Sequence, residues 1–320
     1  MQRNLKDYIV IGLKGMGMGA ADVVPGVSGG TIAFISGIYQ ELIETIDNLG
    51  IGILKTWKQE GFKKMVEVYN LGFLISLFLG IFTSVISLAK VISFLLENHP
   101  ILVWSFFFGL VLASILYVGK QIKKWNISII LFMLIATALA YYVTIATPSI
   151  APDELYYYLI SGGIAIIAMI LPGISGSFIL VLLGSYGIVL SALTNFIEAL
   201  LSGEWQQVKT NFIKVITFII GCLVGLKLFS KVLKWMFTHK KDLTLAVLTG
   251  FMIGSLNKIW PWKKVISTRI DRHGEEVPLL EKSIAPLSFE GDAQLMFAIL
   301  LATLGFGLIL LMERIAIQKK

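Results

Sequence analysis

The sequence has few charged residues, one cysteine and little histidine. Only 15% of its 320 residues are Asp, Glu, Lys or Arg, whereas soluble domains carry about 25%. The single cysteine, Cys222, excludes a disulfide framework and a cysteine metal centre. The three histidines, His99, His239 and His273, are scattered and show no ligand spacing. The sequence therefore predicts no metal site.

A nucleotide-binding loop is also missing. The glycines at 15, 17 and 19 are not followed by Lys and Ser or Thr, and no strand precedes them as a phosphate-binding nucleotide loop requires. We therefore expect no cofactor and no direct use of ATP. The apolar run at residues 8–13 ends at Lys14 without a small-residue cleavage site, so we expect it to be kept rather than removed as a signal peptide.

Apolar residues are abundant instead. They make up 56% of the chain, and the mean hydropathy is +0.82. These values exclude a soluble globular domain, a disordered chain and a coiled coil, and predict an all-α polytopic membrane protein in contact with membrane lipids. The net charge of +7 comes from short basic clusters between apolar runs. This pattern is typical of loops on the cytoplasmic side, and we expect no nucleic-acid partner.

Six apolar segments are long enough to cross a membrane, for which roughly 20 residues are needed. They are residues 71–96, 101–118, 127–147, 212–237, 243–260 and 293–312. Two other apolar regions, 8–46 and 155–197, are each interrupted by a Pro-Gly-x-Ser-Gly element. Because proline disfavours helix around it and glycine permits a sharp turn, we predict that each region is a re-entrant hairpin of two half-helices.

The two interrupted regions belong to an internal repeat. Residues 21–39, ADVVPGVSGGTIAFISGIY, align without gaps with residues 168–186, AMILPGISGSFILVLLGSY. Farther on, Gly80 and Gly109 align with Gly221 and Gly250. We predict a first repeat at 1–150 and a second at 151–320. Three spans separate the hairpins, and an odd number inserts the second repeat upside down, as in many secondary transporters.

Charge predicts the orientation. Basic residues cluster at both termini and in the loops near 55–64, 120–124 and 231–241, whereas the link at 148–154 is acidic. The positive-inside rule then places both termini in the cytoplasm. A polar insertion at about 263–291 occurs in the second half alone. We expect it outside the cell as a solvated surface loop.

Each Pro-Gly-x-Ser-Gly turn is a candidate anion site near the middle of the membrane. The first N–H groups of a helix have no partner within the helix, and glycines let an anion approach them. The predicted substrate-binding residues are Pro25, Gly26, Ser28, Gly29, Gly30 and Thr31 in the first turn, with Pro172, Gly173, Ser175, Gly176 and Ser177 in the second. The alternative is that these small residues only allow tight packing.

Three ionisable residues near membrane depth complete the predicted site. Asp22 has no acidic mate in the repeat, where Met169 aligns with it. A carboxylate at this depth is costly, so we predict that Asp22 binds a coupling cation, H⁺ or Na⁺, or orients the loop; the alternative is a helix cap. Lys90 and Lys227 are candidates to hold a phosphate as point charges. The alternative for both is snorkelling to the membrane surface.

The segment GMGMGAADVVPGVSGGTIAFISGIYQELI and its echo PGISGS resemble a bacterial family of polyprenyl-phosphate transporters, long known as domain of unknown function 368. The resemblance covers essentially the whole chain. It implies a flippase that returns undecaprenyl phosphate from the outer to the inner leaflet of the cytoplasmic membrane, so that the carrier lipid is recycled in cell-envelope synthesis. A homo-oligomer is compatible with it.

Two other functions remain open from the residues. An undecaprenyl pyrophosphate phosphatase also has inverted repeats and a Pro-Gly-x-Ser turn, but its motif continues with Arg and Ser and it carries clustered glutamates. Here Gly29 and Gly30 follow Ser28, and Gly176 and Ser177 follow Ser175. The usual devices for stabilising a transferring phosphoryl group are therefore missing, and we expect no enzyme. A transporter of a small soluble anion is the other alternative.

Overall fold

The computed structural model describes residues 3–24, 27–50, 52–270 and 276–318. Within these ranges the chain is almost entirely helical. The helices are α1 (Leu5–Val23), α2 (Gly29–Ile35), α3 (Tyr39–Asn48), α4 (Gly52–Glu60), α5 (Phe62–Val68), α6 (Leu71–Asn98), α7 (Pro100–Gly119), α8 (Ile127–Ile145), α9 (Leu155–Ile170), α10 (Gly176–Leu182), α11 (Ser185–Ser202), α12 (Trp205–His239), α13 (Lys241–Ser255) and α14 (Leu295–Gln318). Two strands, β1 (Lys263–Ile270) and β2 (Glu276–Ser283), and a 3₁₀ turn at Pro286–Ser288 lie between α13 and α14.

Among the described residues, five helices are long and apolar enough to cross a membrane: α6, α7, α8, α11 and α12. The prediction of a polytopic helical membrane protein is thereby supported, and four of the predicted spans coincide with α6, α7, α8 and α12. The predicted span 243–260 is too long, because α13 ends at Ser255. The apolar part of α14, Leu295–Leu311, is shorter than a full span. Helix α11 was not expected to be long enough to cross.

The same helix crossing occurs in each half of the chain. Helix α1 packs against α6, and α9 packs against α12. A β-carbon built on Gly80 would collide with the carbonyl oxygen of Gly12, and one built on Gly221 would collide with that of Leu159. In the repeat alignment Gly80 matches Gly221, and the alignment of 21 with 168 extends to 12 with 159. The two crossings therefore use equivalent positions, and only glycine permits this separation.

The halves also pack against each other. Helix α7 lies against α14, and α8 lies against α13. The buried core gathers side chains from α1, α2, α3, α6, α7 and α13, with Phe73, Leu77 and Met252 fully buried at its centre. All seven residues of α2 are buried. This short helix therefore lies inside the protein rather than at its lipid-facing surface.

The chain reverses direction after α9. Near the start of this hairpin, the Ser149 N–H donates to the carbonyl oxygen of Leu182 at 2.8 Å, and the Tyr157 hydroxyl donates to that of Leu183 at 2.6 Å. Leu182 is the last residue of α10. The far end of α10 thus returns to the end of the molecule where α9 begins.

The insertion is folded as a β-hairpin, and its solvated position outside the cell stays a prediction. Strands β1 and β2 pair antiparallel, and the base of this β-hairpin is tied down. The indole N–H of Trp260 donates to the Ile284 carbonyl at 2.8 Å, and that of Trp262 donates to the Ala293 carbonyl at 2.9 Å.

The close crossing of α1 and α6 yields a first prediction. Gly80→Ala forces the two backbones apart, at a cost of about 1–3 kcal/mol typical of overpacking, and lowers the melting temperature of the protein in detergent. Gly307→Ala is the matched control, because it adds a methyl group to a helix position with open space around it. Equal melting temperatures for the two variants would contradict the packing described here.

Candidate functional site

The two broken elements meet in the core. Ser28 caps the start of α2, and its hydroxyl donates to the carbonyl oxygen of Met169 at 3.0 Å. The hydroxyl of Thr31 accepts a hydrogen bond from the Gly173 N–H, also at 3.0 Å. Both side chains are fully buried. The residues of the two predicted turns, which lie in opposite halves of the chain, are therefore bonded directly to each other.

The absence of a side chain at Gly30 allows the two turns to approach each other closely. A β-carbon on Gly30 would collide with the carbonyl oxygen of Ile170, the last residue of α9. The structure therefore brings together Ser28, Gly30, Thr31 and Gly173, four of the predicted site residues. It supports close packing at Gly30, which was the alternative interpretation, and leaves substrate contact by this residue a prediction.

The donors of the first turn are already occupied. A carboxylate oxygen of Asp22 accepts the Gly29 N–H at 2.6 Å, and the Ser28 hydroxyl accepts the Gly30 N–H at 3.1 Å. The protein's own carboxylate thus lies where an anionic substrate was predicted to bind. The geometry matches the alternative role of Asp22 as a cap. Substrate contact at Gly29 and a coupling role for Asp22 stay predictions, and the first requires Asp22 to move.

The second turn has different chemistry. Met169 stands where the first half has Asp22, so no carboxylate from α9 reaches the start of α10. The hydroxyls of Ser175 and Ser177 lie 2.9 Å apart, and Ser175 makes no side-chain cap. Pro172 and Gly176 are buried beside them, whereas Ser177 is exposed. Of the two turns, the second is the one whose serine hydroxyls bond to each other rather than to backbone groups.

A small cavity adjoins this second turn. Its volume is about 10 Å³, enough for about one water molecule. The polar residues in its lining are Thr144, Ser175, Ser255 and Lys258. The cavity is therefore too small for a phosphate.

Lys258 is the residue that the sequence analysis missed. It follows α13, and its side chain is 16% exposed. Its ammonium nitrogen lies 3.2 Å from a carboxylate oxygen of Glu281 and 4.5 Å from the ring centre of Phe178. A signal was available, because a lysine inside the predicted span 243–260 is the kind of residue that marks a functional site. An ammonium group beside serine hydroxyls can bind a phosphate.

The other predicted residues lie elsewhere. Lys227, on α12, donates to the carbonyl oxygens of Asp47 and Leu49, at 2.7 Å for Leu49, and so caps the end of α3. Lys90 is exposed on α6. In the part of the chain that the structure describes, neither contacts a turn, so their proposed phosphate contacts gain no support. Pro25 and Gly26 lie outside the described residues.

The comparisons with known proteins agree on one family. A family described as VCA0040-like, undecaprenyl phosphate translocase-like, matches residues 18–277. A "Polyprenyl-phosphate transporter" of Vibrio cholerae serotype O1 is 45% identical over 314 residues, 97% of each chain. A protein of the same name from Staphylococcus aureus is 32% identical over 262 residues, 78% of this chain and 85% of its own length. No solved structure matches.

The contact between the turns yields a second prediction. Thr31→Val leaves the buried Gly173 N–H without an acceptor, which costs about 1–3 kcal/mol, so the melting temperature falls. Thr31→Ser keeps the hydroxyl and retains most of the stability. Thr303→Val is the control, because this exposed hydroxyl bonds only within its own helix. If Thr31→Val and Thr303→Val have the same melting temperature, the contact between the turns does not contribute to stability.

Proposed function

The chain belongs to the undecaprenyl phosphate translocase-like family, and from this premise we propose that it flips undecaprenyl phosphate between the leaflets of a bacterial cytoplasmic membrane. Two relatives that match most of this chain are named polyprenyl-phosphate transporters, which supports transport of a lipid carrier. In the proposed function, the phosphate passes through the protein while the polyprenyl tail stays in lipid. No covalent step is involved.

The second turn holds the phosphate. The observation that carries this assignment is the difference between the turns: Asp22 fills the first, whereas the second has Ser175, Ser177 and Lys258. Hydroxyl donors and an ammonium point charge suit a compact anion such as a phosphate monoester. Gly173 and Gly176 are buried beside them and closely packed, so the backbone there becomes accessible only when the site opens.

An inverted repeat with two re-entrant hairpins provides the conformational change. The equivalent crossings at Gly80 and Gly221 support a duplicated unit, and the return of α10 to the start of α9 supports a hairpin. Rocking of one repeat against the other gives alternating access. Since the cavity beside Ser175 holds about one water, the site must open to admit a phosphate, and the described state is closed.

The placement of the site supports a proposed direction of transport. Lys258 and the β-hairpin lie at the same end of the molecule, opposite to the basic loops that the positive-inside rule places in the cytoplasm. This position supports our proposal that the phosphate is received from the outer leaflet and released to the inner one. The protein is a multi-pass membrane protein with both termini in the cytoplasm.

Leaflet exposure of undecaprenyl phosphate in proteoliposomes tests the function. The lipid is read with an impermeant phosphate-binding probe, and the wild-type protein is expected to equilibrate it across the bilayer. Ser175→Ala and Lys258→Met each remove a donor, and each lowers the rate at least about tenfold, the effect of losing a charge-assisted hydrogen bond. Lys264→Met, which alters an exposed lysine of the β-hairpin, is the control and leaves the rate unchanged.

Two results would replace the proposed function. Release of phosphate from undecaprenyl pyrophosphate without lipid movement would favour the phosphatase alternative. If neither movement nor release occurs, uptake of a small soluble anion becomes the function to measure.

The coupling role of Asp22 gives a separate prediction. Asp22→Asn keeps an oxygen to accept the Gly29 N–H but removes the group that binds H⁺ or Na⁺. With an imposed pH or sodium gradient, the wild-type protein is expected to accumulate the lipid phosphate in one leaflet, whereas Asp22→Asn only equilibrates it. If the variant accumulates lipid like the wild type, Asp22 is a cap and nothing more.

A further inference from the structure

A cluster of three largely buried charges lies at the base of the β-hairpin, outside the turns described above. The ammonium groups of Lys258 and Lys263 lie 3.2 Å and 3.7 Å from the same carboxylate oxygen of Glu281. Their side chains are 16%, 8% and 23% exposed, in that order. Lys258 belongs both to this cluster and to the cavity beside Ser175. The cluster is therefore continuous with the proposed phosphate site.

The charges of the cluster do not balance. Two ammonium groups share one carboxylate, and the Lys263 nitrogen is a buried atom without a hydrogen-bond partner. It lies 3.7 Å from the centre of the Trp104 ring, a cation–π contact that replaces only part of its hydration. Burial lowers the pKa of Lys263 to about 8, so most of it is still protonated at neutral pH. Burial opposes ionisation of Glu281, but the two lysines hold its pKa below the usual range.

The fold places Glu281 in the cluster from a separate element. Glu281 lies on β2, opposite Val265, and the register shifts next to this pair because Ile266 has no partner. Such a bulge redirects neighbouring side chains. The hairpin base is held by Ser283, whose hydroxyl donates to the side-chain oxygen of Asn257 at 2.9 Å. The carboxylate is thus supplied by the insertion, which has no counterpart in the first half of the chain.

We propose that Lys258 and Lys263 form a receiving site for a phosphate monoester headgroup, and that Glu281 is an internal anion which the phosphate displaces. The proposal rests on the proposed function and deepens it, because it names the groups that meet the phosphate before it reaches Ser175. A buried cationic pair without any anion is strongly destabilised. Glu281 supplies that anion while the site is empty.

Charge arithmetic favours the exchange. With Glu281 in place, the cluster carries one net positive charge. A phosphate monoester carries about −1.5 to −2 at pH 7, so it neutralises both lysines where one carboxylate neutralises only one. It also brings further acceptor oxygens. In the closed state the Lys263 nitrogen has no hydrogen-bond acceptor. The substrate therefore completes an incomplete set of charges and hydrogen bonds.

Binding of undecaprenyl phosphate to the detergent-solubilised protein, titrated by native mass spectrometry, tests the proposal. Glu281→Gln removes the competing anion and is expected to lower the dissociation constant at least about threefold. Lys263→Met removes one positive charge and raises it by a similar factor. The double variant, Lys263→Met with Glu281→Gln, restores the net charge of +1 and is expected to bind more tightly than Lys263→Met alone. This rescue keeps the test decisive even if Glu281→Gln folds poorly.

The matched controls come from the same β-hairpin. Lys264 and Glu290 form an exposed pair at 2.8 Å, so Lys264→Met and Glu290→Gln change the same charges away from the cluster and leave binding unchanged. Neutral undecaprenol is expected to show no dependence on Glu281. Inorganic phosphate distinguishes the two sources of the anion. If Glu281→Gln tightens binding of inorganic phosphate but not of the lipid, the headgroup assignment is wrong.

The outcomes separate this inference from the proposed function. If the wild-type protein moves lipid but Glu281→Gln and Lys263→Met bind it like the control variants, the cluster is a structural support for the hairpin and the inference fails alone. The proposed function fails only if the wild-type protein moves no lipid in the proteoliposome measurement.

Discussion

The structure depends on one constraint: backbone groups that a helix break leaves free must still find partners inside an apolar protein. A buried amide without a partner costs about as much as several favourable contacts contribute. Here the first break supplies partners for the second, and Asp22 supplies a partner within the first half. Thr31 accepts the Gly173 N–H, Ser28 donates to the Met169 carbonyl, and Asp22 accepts the Gly29 N–H. The burial of all of α2 and its contact with α9 follow from this need.

Once the breaks are bonded to each other, the two halves become unequal. Close glycine crossings occur in both halves, but the residue before each turn differs, with Asp22 in one half and Met169 in the other. The first turn is neutralised by its own carboxylate. The second is left with hydroxyls and with Lys258, whose charge is balanced from the inserted hairpin. The two turns therefore differ in chemistry although their sequences align.

Local sequence predicted the breaks well and their surroundings poorly. Proline and glycine act on the backbone within a few residues, so α1 ends at Val23, α2 begins at Gly29, and α10 begins at Gly176, close to the predicted turns. Local sequence did not predict the early end of α13. After this helix, Trp260 and Trp262 bond to the carbonyl oxygens of Ile284 and Ala293, which are distant in the sequence. Lys227 and Lys258 were both visible as charges in apolar surroundings. Only tertiary packing decides that one meets α3 and the other meets the second turn.

A transporter must release what it binds, and the internal carboxylates bear on this requirement. A lysine pair left alone in a buried site would be unstable when empty and would hold a phosphate too tightly when full. Glu281 reduces both effects, since the empty site keeps an anion and the bound phosphate has to compete with it. Asp22 has the same relation to the donors of the first turn. In the proposed mechanism, the phosphate therefore exchanges with a tethered carboxylate at each step instead of entering an unoccupied positive site. This exchange keeps the free energies of the successive phosphate-bound states close together.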